Sequence, residues 1–342
     1  MSRPPMTFAQ RWEAAVSAGG DRTFLIFEGP DGSVSEWTYR EFDRIVTRMG
    51  ATLAALGVTP GAAVHVALRN CPAFIAVWLA CARSGAWLVP VDPTSTARDI
   101  ARQLDRVRPA AGICAASRAE AYAAGVRESA LGRLAVIELA ETAADVSRDA
   151  GPPVAVASSV AIASSVAVAP EDRLAVMFTS GTTSEPKGVV LTQRNYAQVA
   201  DTMSAIVGLR PEHRWLVTLP LFHANAQYYC IAPAIAVGAS VALTATFSAS
   251  QWLRQARDLA ATHASLFAAP IRMILARRPA DAPAGRLEHV WFAQNLGAQH
   301  YAEFAALAGC RPRQLYGMTE TVAIVCADVC DPYRHDTIGP PI

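Results

Sequence analysis

Residues 63–91 of the chain, AVHVALRNCPAFIAVWLACARSGAWLVPV, contain the pattern that decides the fold. The segments 63–68 and 87–91 are short, apolar and bounded by turn-forming residues, as expected for buried strands. Between them, residues 71–84 form a longer apolar run that ends at Gly85, a residue type that often terminates helices. A strand, a helix and a second strand in this order predict a βαβ unit with parallel strands.

The same alternation extends on both sides of this unit. Residues 22–40 predict a hairpin around a turn at 29–32, and Thr38 with Glu41 forms a capping box for a helix that reaches about residue 56. Further strands are predicted at 111–115, 174–178, 188–192, 215–219, 240–243 and 289–293. Further helices are predicted at 96–107, 193–207, 226–237, 248–263, 271–278 and 299–309. We therefore expect an α/β fold with two packed βαβ-type subdomains and mostly parallel sheets.

A segment rich in alanine, valine and serine divides the chain. Residues 151–170 begin with Gly-Pro-Pro and contain the near-repeat ASSVAI and ASSVAV, which is too short for a repeat architecture. We interpret this segment as a connector between approximate subdomains 1–150 and 171–342, which together form one domain, 1–342. We assign the connector no function.

Composition argues against several classes of protein. Hydrophobic residues make up 52% of the 342 residues and charged residues 17%, which is enough apolar material for a large core. A formal net charge of +1 provides no basic surface for nucleic acid, and no apolar run reaches the roughly 20 residues of a membrane span. The N-terminus lacks a signal-peptide pattern, and the seven cysteines have no metal-binding spacing, so a cytoplasmic location is expected.

A hydroxyl-rich loop is the strongest candidate for a functional motif. Residues 179–188 read TSGTTSEPKG and lie between two apolar, strand-like runs. Small residues let backbone N–H groups approach a phosphate, hydroxyls donate hydrogen bonds, and Lys187 adds a positive charge. The common P-loop is excluded, because in that motif the lysine follows the second glycine and the loop opens a helix. The alternative is a polar hairpin turn, which Pro186 and the glycines would also suit.

A second motif, QLYGMTET at residues 314–321, offers complementary groups. Tyr316 has a flat face for a purine, Thr319 has a hydroxyl, and Glu320 has a carboxylate of the kind that binds Mg²⁺. On its own, the string is also consistent with core packing by the tyrosine and with Glu320 at the start of a helix.

In this order, the two motifs resemble those of the acyl-CoA synthetase, adenylation-domain and luciferase superfamily. The hydroxyl-rich loop follows the family pattern except at Ser184, where glycine is usual, and residues 316–320 match the family's Y-G-x-T-E motif. Weaker likenesses at 37–42, 85–93 and 337–341 extend the resemblance over nearly the whole chain. The resemblance implies the large N-terminal domain of an adenylate-forming enzyme.

The resemblance also implies which residues bind ATP. The β- and γ-phosphates would be bound by Thr179, Ser180, Gly181, Thr182, Thr183 and Lys187. Other nucleotide contacts would be Asn295, Tyr316, Gly317, Met318 and Thr319, with the tyrosine on adenine and Thr319 on the α-phosphate. Glu320 would bind Mg²⁺, and the catalytic residues would be Thr183, Lys187 and Glu320. Around Asn295 the sequence departs from the family, because most relatives carry a Gly-Gly-Ala-Pro type turn there.

A third string, PLFHANAQ at residues 220–227, resembles the segment that lines the acyl pocket of this family. The implied substrate-binding residues are His223, Asn225 and Gln227, with the histidine beside the carboxylate; the alternative is a histidine that caps the next helix. The segment has no aspartate to hold an amino group, which argues against a simple α-amino acid. The string NAQ and residues 247–250 look most like the crotonobetaine/carnitine–CoA ligase branch.

The implied reaction converts a small carboxylic acid, with ATP and Mg²⁺, to acyl-AMP and pyrophosphate, and then transfers the acyl group to coenzyme A. A carrier protein is the alternative acceptor, and a nucleotide-binding module without turnover is the alternative from another class. The family's ribose-binding aspartate, hinge and small domain with a catalytic lysine are not found in this sequence. We therefore expect a truncated N-terminal domain that is nearly inactive by itself.

Overall fold

The structure is a computed structural model, and it describes residues 6–147, 167–179, 187–278, 287–322, 324–330 and 337–342. The helices are α1 (Phe8–Gly19), α2 (Tyr39–Ala55), α3 (Pro72–Ser84), α4 (Ala97–Val107), α5 (Ala119–Glu128), α6 (Gln193–Ile206), α7 (Ala232–Val237), α8 (Trp252–Asp258), α9 (Ala268–Arg277) and α10 (Ala298–Ala308). A π-helical stretch, Asn225–Ile231, leads directly into α7 and is called the π segment below.

The strands are β1 (Thr23–Glu28), β2 (Val34–Thr38), β3 (Ala63–Ala67), β4 (Trp87–Pro90), β5 (Ala111–Ala115), β6 (Ala135–Leu139), β7 (Arg173–Thr179), β8 (Lys187–Thr192), β9 (Arg214–Val217), β10 (Ser240–Thr244), β11 (His263–Phe267), β12 (His289–Ala293), β13 (Arg313–Tyr316) and β14 (Cys326–Ala327). They form an eight-stranded sheet in the order β14-β13-β12-β11-β9-β10-β1-β2 and a six-stranded sheet in the order β6-β5-β3-β4-β7-β8. Among these strands only the edge pairs β1–β2, β13–β14 and β7–β8 are antiparallel. The expected α/β class with mostly parallel sheets is confirmed.

The two sheets and the helices form five layers. The central layer contains α1, α2, α3, α6 and α7, whose apolar side chains fill the space between the sheets. Helices α8, α9 and α10 cover the outer face of the eight-stranded sheet, and α4 and α5 cover that of the six-stranded sheet. Because helices cover both faces, the strands are nearly continuous apolar runs. No helix in the described ranges is long and apolar enough to cross a membrane.

Most local predictions agree with the structure. The capping box of Thr38 and Glu41 is present at the start of α2, and Gly85 ends α3 in the left-handed conformation. The predicted helix at 248–263 is wrong at both ends, because α8 covers only Trp252–Asp258 and β11 begins at His263. The chain turns at Ala260, which has φ 52°, without a glycine to signal the turn.

Six of the named helices and strands have no counterpart in the sequence predictions. Helix α1 begins with a capping box between Thr7 and Gln10, a signal that lies within four residues of the sequence. The others are α5, β6, β11, β13 and β14. The predicted helix at 226–237 is present, but its first half is the π segment rather than regular α-helix.

Each sheet contains strands from both sides of the expected connector, so the connector does not separate one sheet from the other. Strands β1 and β2 come from the first stretch of the chain and join the eight-stranded sheet, while β7 and β8 follow the connector and join the six-stranded sheet. Residues 148–166 lie outside the described residues. The two subdomains proposed from sequence, 1–150 and 171–342, therefore do not coincide with the two sheets.

Candidate active site

The candidate active site lies where the carboxyl ends of strands from the two sheets meet. Thr179 ends β7 in the six-stranded sheet, and Glu320 follows β13 in the eight-stranded sheet. The Thr179 hydroxyl donates a hydrogen bond to Glu320 Oε1 over 3.4 Å, although 141 residues separate the two in sequence. The tertiary structure thus brings the hydroxyl-rich loop to the glutamate motif.

Lys187 begins β8 at the far end of the hydroxyl-rich loop. Its Cα pairs with that of Thr179 in antiparallel register, so the hairpin holds both ends of the loop side by side. The Lys187 side chain is exposed, where it is free to reach an anionic ligand. The other residues of the loop that were predicted to contact phosphate, Ser180, Gly181, Thr182 and Thr183, lie outside the described residues.

Glu320 lies in a single 3-10 turn, Thr319–Thr321, directly after β13. Its carboxylate is exposed, and the Met318 N–H donates to Thr321 Oγ1 over 3.0 Å, which closes the turn. One carboxylate beside one hydroxyl suits Mg²⁺, which takes one or two carboxylates and completes its shell with phosphate and water. Within the described ranges, no cluster of three or more His, Cys, Asp or Glu side chains could hold a metal by itself. The residues present fit a metal that arrives with a nucleotide.

Two neighbouring loops carry the groups predicted to contact adenine. Tyr316, the last residue of β13, is 43% exposed, which leaves its ring available for stacking. Asn295 is exposed in the loop after β12, and its carbonyl accepts a hydrogen bond from Arg272 over 3.4 Å. Gln314 Nε2 donates to the Gln294 carbonyl over 3.1 Å, which ties the two loops together. The remaining predicted contacts, Gly317, Met318 and Thr319, follow Tyr316 directly in the chain.

The loop after β9 carries His223 and is held by a residue from the other sheet. Asn70, which follows β3, donates from Nδ2 to the Leu219 carbonyl over 3.0 Å and accepts at Oδ1 from the Leu221 N–H over 2.8 Å. Asn70 is buried at this junction. Sequence analysis missed it, because no local motif marks an asparagine whose partners lie about 150 residues away.

The His223 imidazole is neutral near pH 7. The protein around the ring lowers its pKa by excluding water, and the negative charge of Asp92 partly opposes this effect. The side chain still reaches solvent, and Phe222 lies against it with ring centroids 4.4 Å apart. A neutral imidazole can offer one hydrogen-bond donor to a substrate carboxylate.

Asn225 and Gln227 both belong to the π segment but have different surroundings. Gln227 is fully buried; its Oε1 accepts from the Tyr196 hydroxyl over 2.7 Å, and its Nε2 donates to the Leu221 carbonyl over 2.6 Å. Its amide therefore holds the loop that carries His223, and its contact with substrate stays a prediction. Asn225 is 4% exposed, and neither amide atom has a partner among the described residues. Such π-helical insertions occur frequently at functional sites.

The described groups are of the types expected for a site that binds a nucleotide and an acid, and their roles there stay predictions. Lys187 supplies a cation, Thr179 a hydroxyl, Glu320 a metal-binding carboxylate and Tyr316 a stacking surface. His223 supplies a neutral hydrogen-bonding ring on the loop after β9. These are the groups needed to position a nucleoside triphosphate against a second, anionic reactant.

Comparison with known proteins finds relatives among CoA ligases. The chain is 29% identical over 337 residues to the crotonobetaine/carnitine–CoA ligase of Salmonella paratyphi A, covering 96% of this chain and 64% of the relative. It is also 29% identical over 336 residues to the enzyme of the same name from Salmonella typhimurium, with 96% and 64% coverage. The chain thus spans just under two thirds of the length of the curated relatives it matches.

Solved structures share the fold at lower identity. The inhibitor-bound N-terminal domain of FACL13 from Mycobacterium tuberculosis superposes with a TM-score of 0.81 at 21% identity, over 94% of this chain and 78% of that one. A benzoate–CoA ligase from Burkholderia xenovorans gives 0.84 at 19% identity, over 98% and 66%. A family model described as AMP-binding enzyme matches residues 12–342. The chain therefore belongs to the AMP-binding enzyme family.

Proposed function

We propose that the protein containing this chain activates a carboxylic acid with ATP and transfers the acyl group to coenzyme A. The observation that carries the proposal is the hydrogen bond between Thr179 and Glu320, because it joins the candidate phosphate loop to the candidate metal ligand. Coenzyme A is favoured over a carrier protein, since the curated relatives are named as CoA ligases.

In the proposed first step, a carboxylate oxygen forms a bond to the α-phosphorus of ATP, and the bond between the α-phosphorus and the bridging oxygen breaks to release pyrophosphate. A magnesium ion held by Glu320 would neutralise phosphate charge. Lys187 and Thr179 would orient the β- and γ-phosphates, and Tyr316 would fix the adenine. His223, neutral near pH 7, would donate to the carboxylate without forming an ion pair that weakens the nucleophile.

In the proposed second step, the thiol sulfur of coenzyme A bonds to the acyl carbon while the carbon–oxygen bond to AMP breaks. The thiol proton passes to solvent, and AMP leaves with the carboxylate oxygen that bonded to the α-phosphorus in the first step. Both steps depend mainly on positioning and charge neutralisation, to which these exposed polar groups would contribute.

The test of this proposal is exchange of labelled pyrophosphate into ATP by the full-length protein. We expect exchange that depends on an added acid from a panel of aliphatic, aromatic and polar acids, and release of AMP when coenzyme A is added. Exchange with no thioester from coenzyme A would point to a different acceptor. Nucleotide binding without exchange for any acid would support a module without turnover and contradict the proposal.

Replacement of Lys187 by alanine is expected to weaken ATP binding about tenfold or more, since a charged hydrogen bond to phosphate is lost. Its side chain is exposed at the start of β8, so the fold should be unaffected. Titration calorimetry with MgATP measures the affinity, and thermal unfolding checks the fold. Arg44→Ala, which removes an exposed cation on α2, is the matched control. Equal ATP affinity in Lys187→Ala and the parent protein would rule out the lysine as a phosphate ligand.

A further inference from the structure

Five buried polar side chains lie on the π segment and on three strands of the eight-stranded sheet, and none has a hydrogen-bond partner among the described residues. Asn225 and Tyr228 lie on the π segment, and the others are Trp215 in β9, Ser265 in β11 and Trp291 in β12. None is more than 4% exposed. Within the described ranges, both amide atoms of Asn225, the two hydroxyls and the two indole nitrogens lack a partner.

Strand register places the three sheet residues on one face. His263 of β11 pairs with Trp215, so Ser265, two residues further along the strand, lies on the same face as Trp215. Trp291 pairs directly with Ser265. The π segment packs against β9 and β11, and Trp215, Trp291 and Tyr228 belong to the same core cluster. The unpartnered atoms therefore lie in one layer, between the sheet and the π segment.

Such a concentration of unpartnered atoms requires an explanation. Buried donors and acceptors in native proteins are nearly always paired, because leaving one unpaired costs free energy. An apolar residue at any of these positions would remove that cost. A segment that accommodates a plain hydrocarbon chain would need none of these polar atoms.

The layer adjoins the candidate active site. Asn225 follows His223 by two residues, and the pKa of Tyr228 is raised mainly by burial, with a small contribution in the same direction from the negative charge of Glu320. A substrate whose carboxylate lies near His223 would therefore extend its other end along the π segment.

The chemistry of the five side chains specifies the complementary group. Indole nitrogens can only donate, hydroxyls and the asparagine amide can also donate, and none of the five side chains carries a charge. A second carboxylate would be buried without a cation, which is costly. A neutral acceptor, such as a ketone or amide carbonyl, suits these donors.

We propose that the acid activated here carries a neutral hydrogen-bond acceptor on its acyl chain, which is bound by Asn225 and Tyr228 of the π segment together with donors of the facing sheet. This inference rests on the proposed function and adds the class of substrate to it. The acceptor distinguishes the substrate from plain fatty acids, because a site built to hydrogen-bond a group discriminates strongly against analogues that lack it.

The test measures binding of stable adenylate analogues, in which an acylsulfamoyl linkage stands in for the acyl phosphate, to the full-length protein by calorimetry. One series has straight hydrocarbon acyl chains, and a matched series carries one ketone at successive carbons. A third series ends in a carboxylate. We expect one ketone position to bind at least about tenfold more tightly than its hydrocarbon counterpart.

Variants connect that preference to the proposed residues. Tyr228→Phe and Asn225→Leu remove the polar atoms with little change in volume, and each should bring the ketone and hydrocarbon analogues to similar affinities. Tyr229→Phe is the matched control, because its hydroxyl, on the adjacent residue, is not among the unpartnered atoms. Near-ultraviolet circular dichroism of each variant checks packing, and the comparison of the three series in the parent protein stands even where a variant fails to fold.

The affinities of the three analogue series decide between this substrate class and the alternatives. A ketone preference that Tyr228→Phe and Asn225→Leu abolish, and that Tyr229→Phe retains, supports the proposal. Equal or tighter binding of hydrocarbon analogues, tighter binding of the carboxylate series, or a ketone preference that survives both variants overturns it. If hydrocarbon analogues bind tightly, the proposed adenylate site stands while this inference fails. If no analogue and no AMP binds, the proposed function itself is wrong.

Discussion

Glu320→Gln is expected to reduce acid-dependent pyrophosphate exchange about 10²–10³-fold, the loss typical when a group that stabilises transition-state charge is removed. The amide retains an oxygen that can accept the hydrogen bond from Thr179, so the contact between the two loops is preserved. What is lost is the negative charge that would hold Mg²⁺ against the phosphates. Because the Glu320 side chain is exposed, the substitution should leave the fold intact.

The decisive measurement compares nucleotide binding with and without the metal. Binding of AMP in the absence of Mg²⁺ should be nearly unchanged, since Tyr316 is retained, whereas binding of ATP should lose most of its dependence on Mg²⁺. Glu128→Gln, at an exposed position at the end of α5, is the control for loss of one negative charge. Equal loss of metal-free AMP binding would assign Glu320 a structural role instead.

Acid is expected to destabilise the fold through two buried histidines. His263, fully buried in β11, has its pKa lowered to about 3, first by burial and then by the nearby His289 and His213, whose ring centroids are 5.1 and 4.6 Å away. His65, fully buried in β3, has its pKa lowered to about 4 by burial, and its ring contacts Tyr122 and Gln103.

Unfolding exposes both histidines and lets them bind protons, so the free energy of unfolding decreases at low pH. Both pKa values lie below the unfolded value of about 6.5, so the unfolded chain binds more protons as the pH falls below that value. The contribution of these histidines to the free energy of unfolding is therefore fully present above about pH 6.5, and it is lost as the pH falls towards the folded pKa values. Each histidine should remove about 2 kcal/mol between pH 7 and pH 5, and the pair about 4 kcal/mol.

Urea unfolding at pH 7, 6 and 5 measures this dependence. Removing one titrating group in His263→Gln should make stability fall about 2 kcal/mol less over this range than in the parent protein. His300→Gln, at an exposed position in α10, is the control for the same substitution outside the core. The same slope in His263→Gln and the parent would show that this histidine does not titrate on unfolding.

The sequence by itself determined the local elements and the types of the candidate groups. Strand β5 was predicted from an apolar run and the start of α2 from the capping box of Thr38 and Glu41, which are signals within a few residues. The fold class follows from the order of such elements, because short strands alternating with helices have few stable arrangements. The family resemblance of the loop at 179–188 likewise depends only on residue types in order.

Local signals failed where a boundary or a strand depended on distant partners. Strand β11 was not predicted, and its first residue was placed in the helix expected at 248–263, because its five residues acquire strand structure from β9 and β12 on either side. Strands β1 and β2 likewise join the eight-stranded sheet through a distant partner, because β1 lies beside β10. A hydrophobic pattern reports which face of an element is buried, but not which sheet buries it.

Only the tertiary structure decided how the site is assembled and which polar atoms remain unpaired. The contact of Thr179 with Glu320 and the hydrogen bonds of Asn70 across the two sheets join residues more than a hundred positions apart. Gln227 and Asn225, two residues apart in one string, differ because Tyr196 and Leu221 satisfy the first, whereas no described residue pairs with the second. Hydrogen bonding depends on the distance and direction between two groups, and folding, not the order of residues, fixes both.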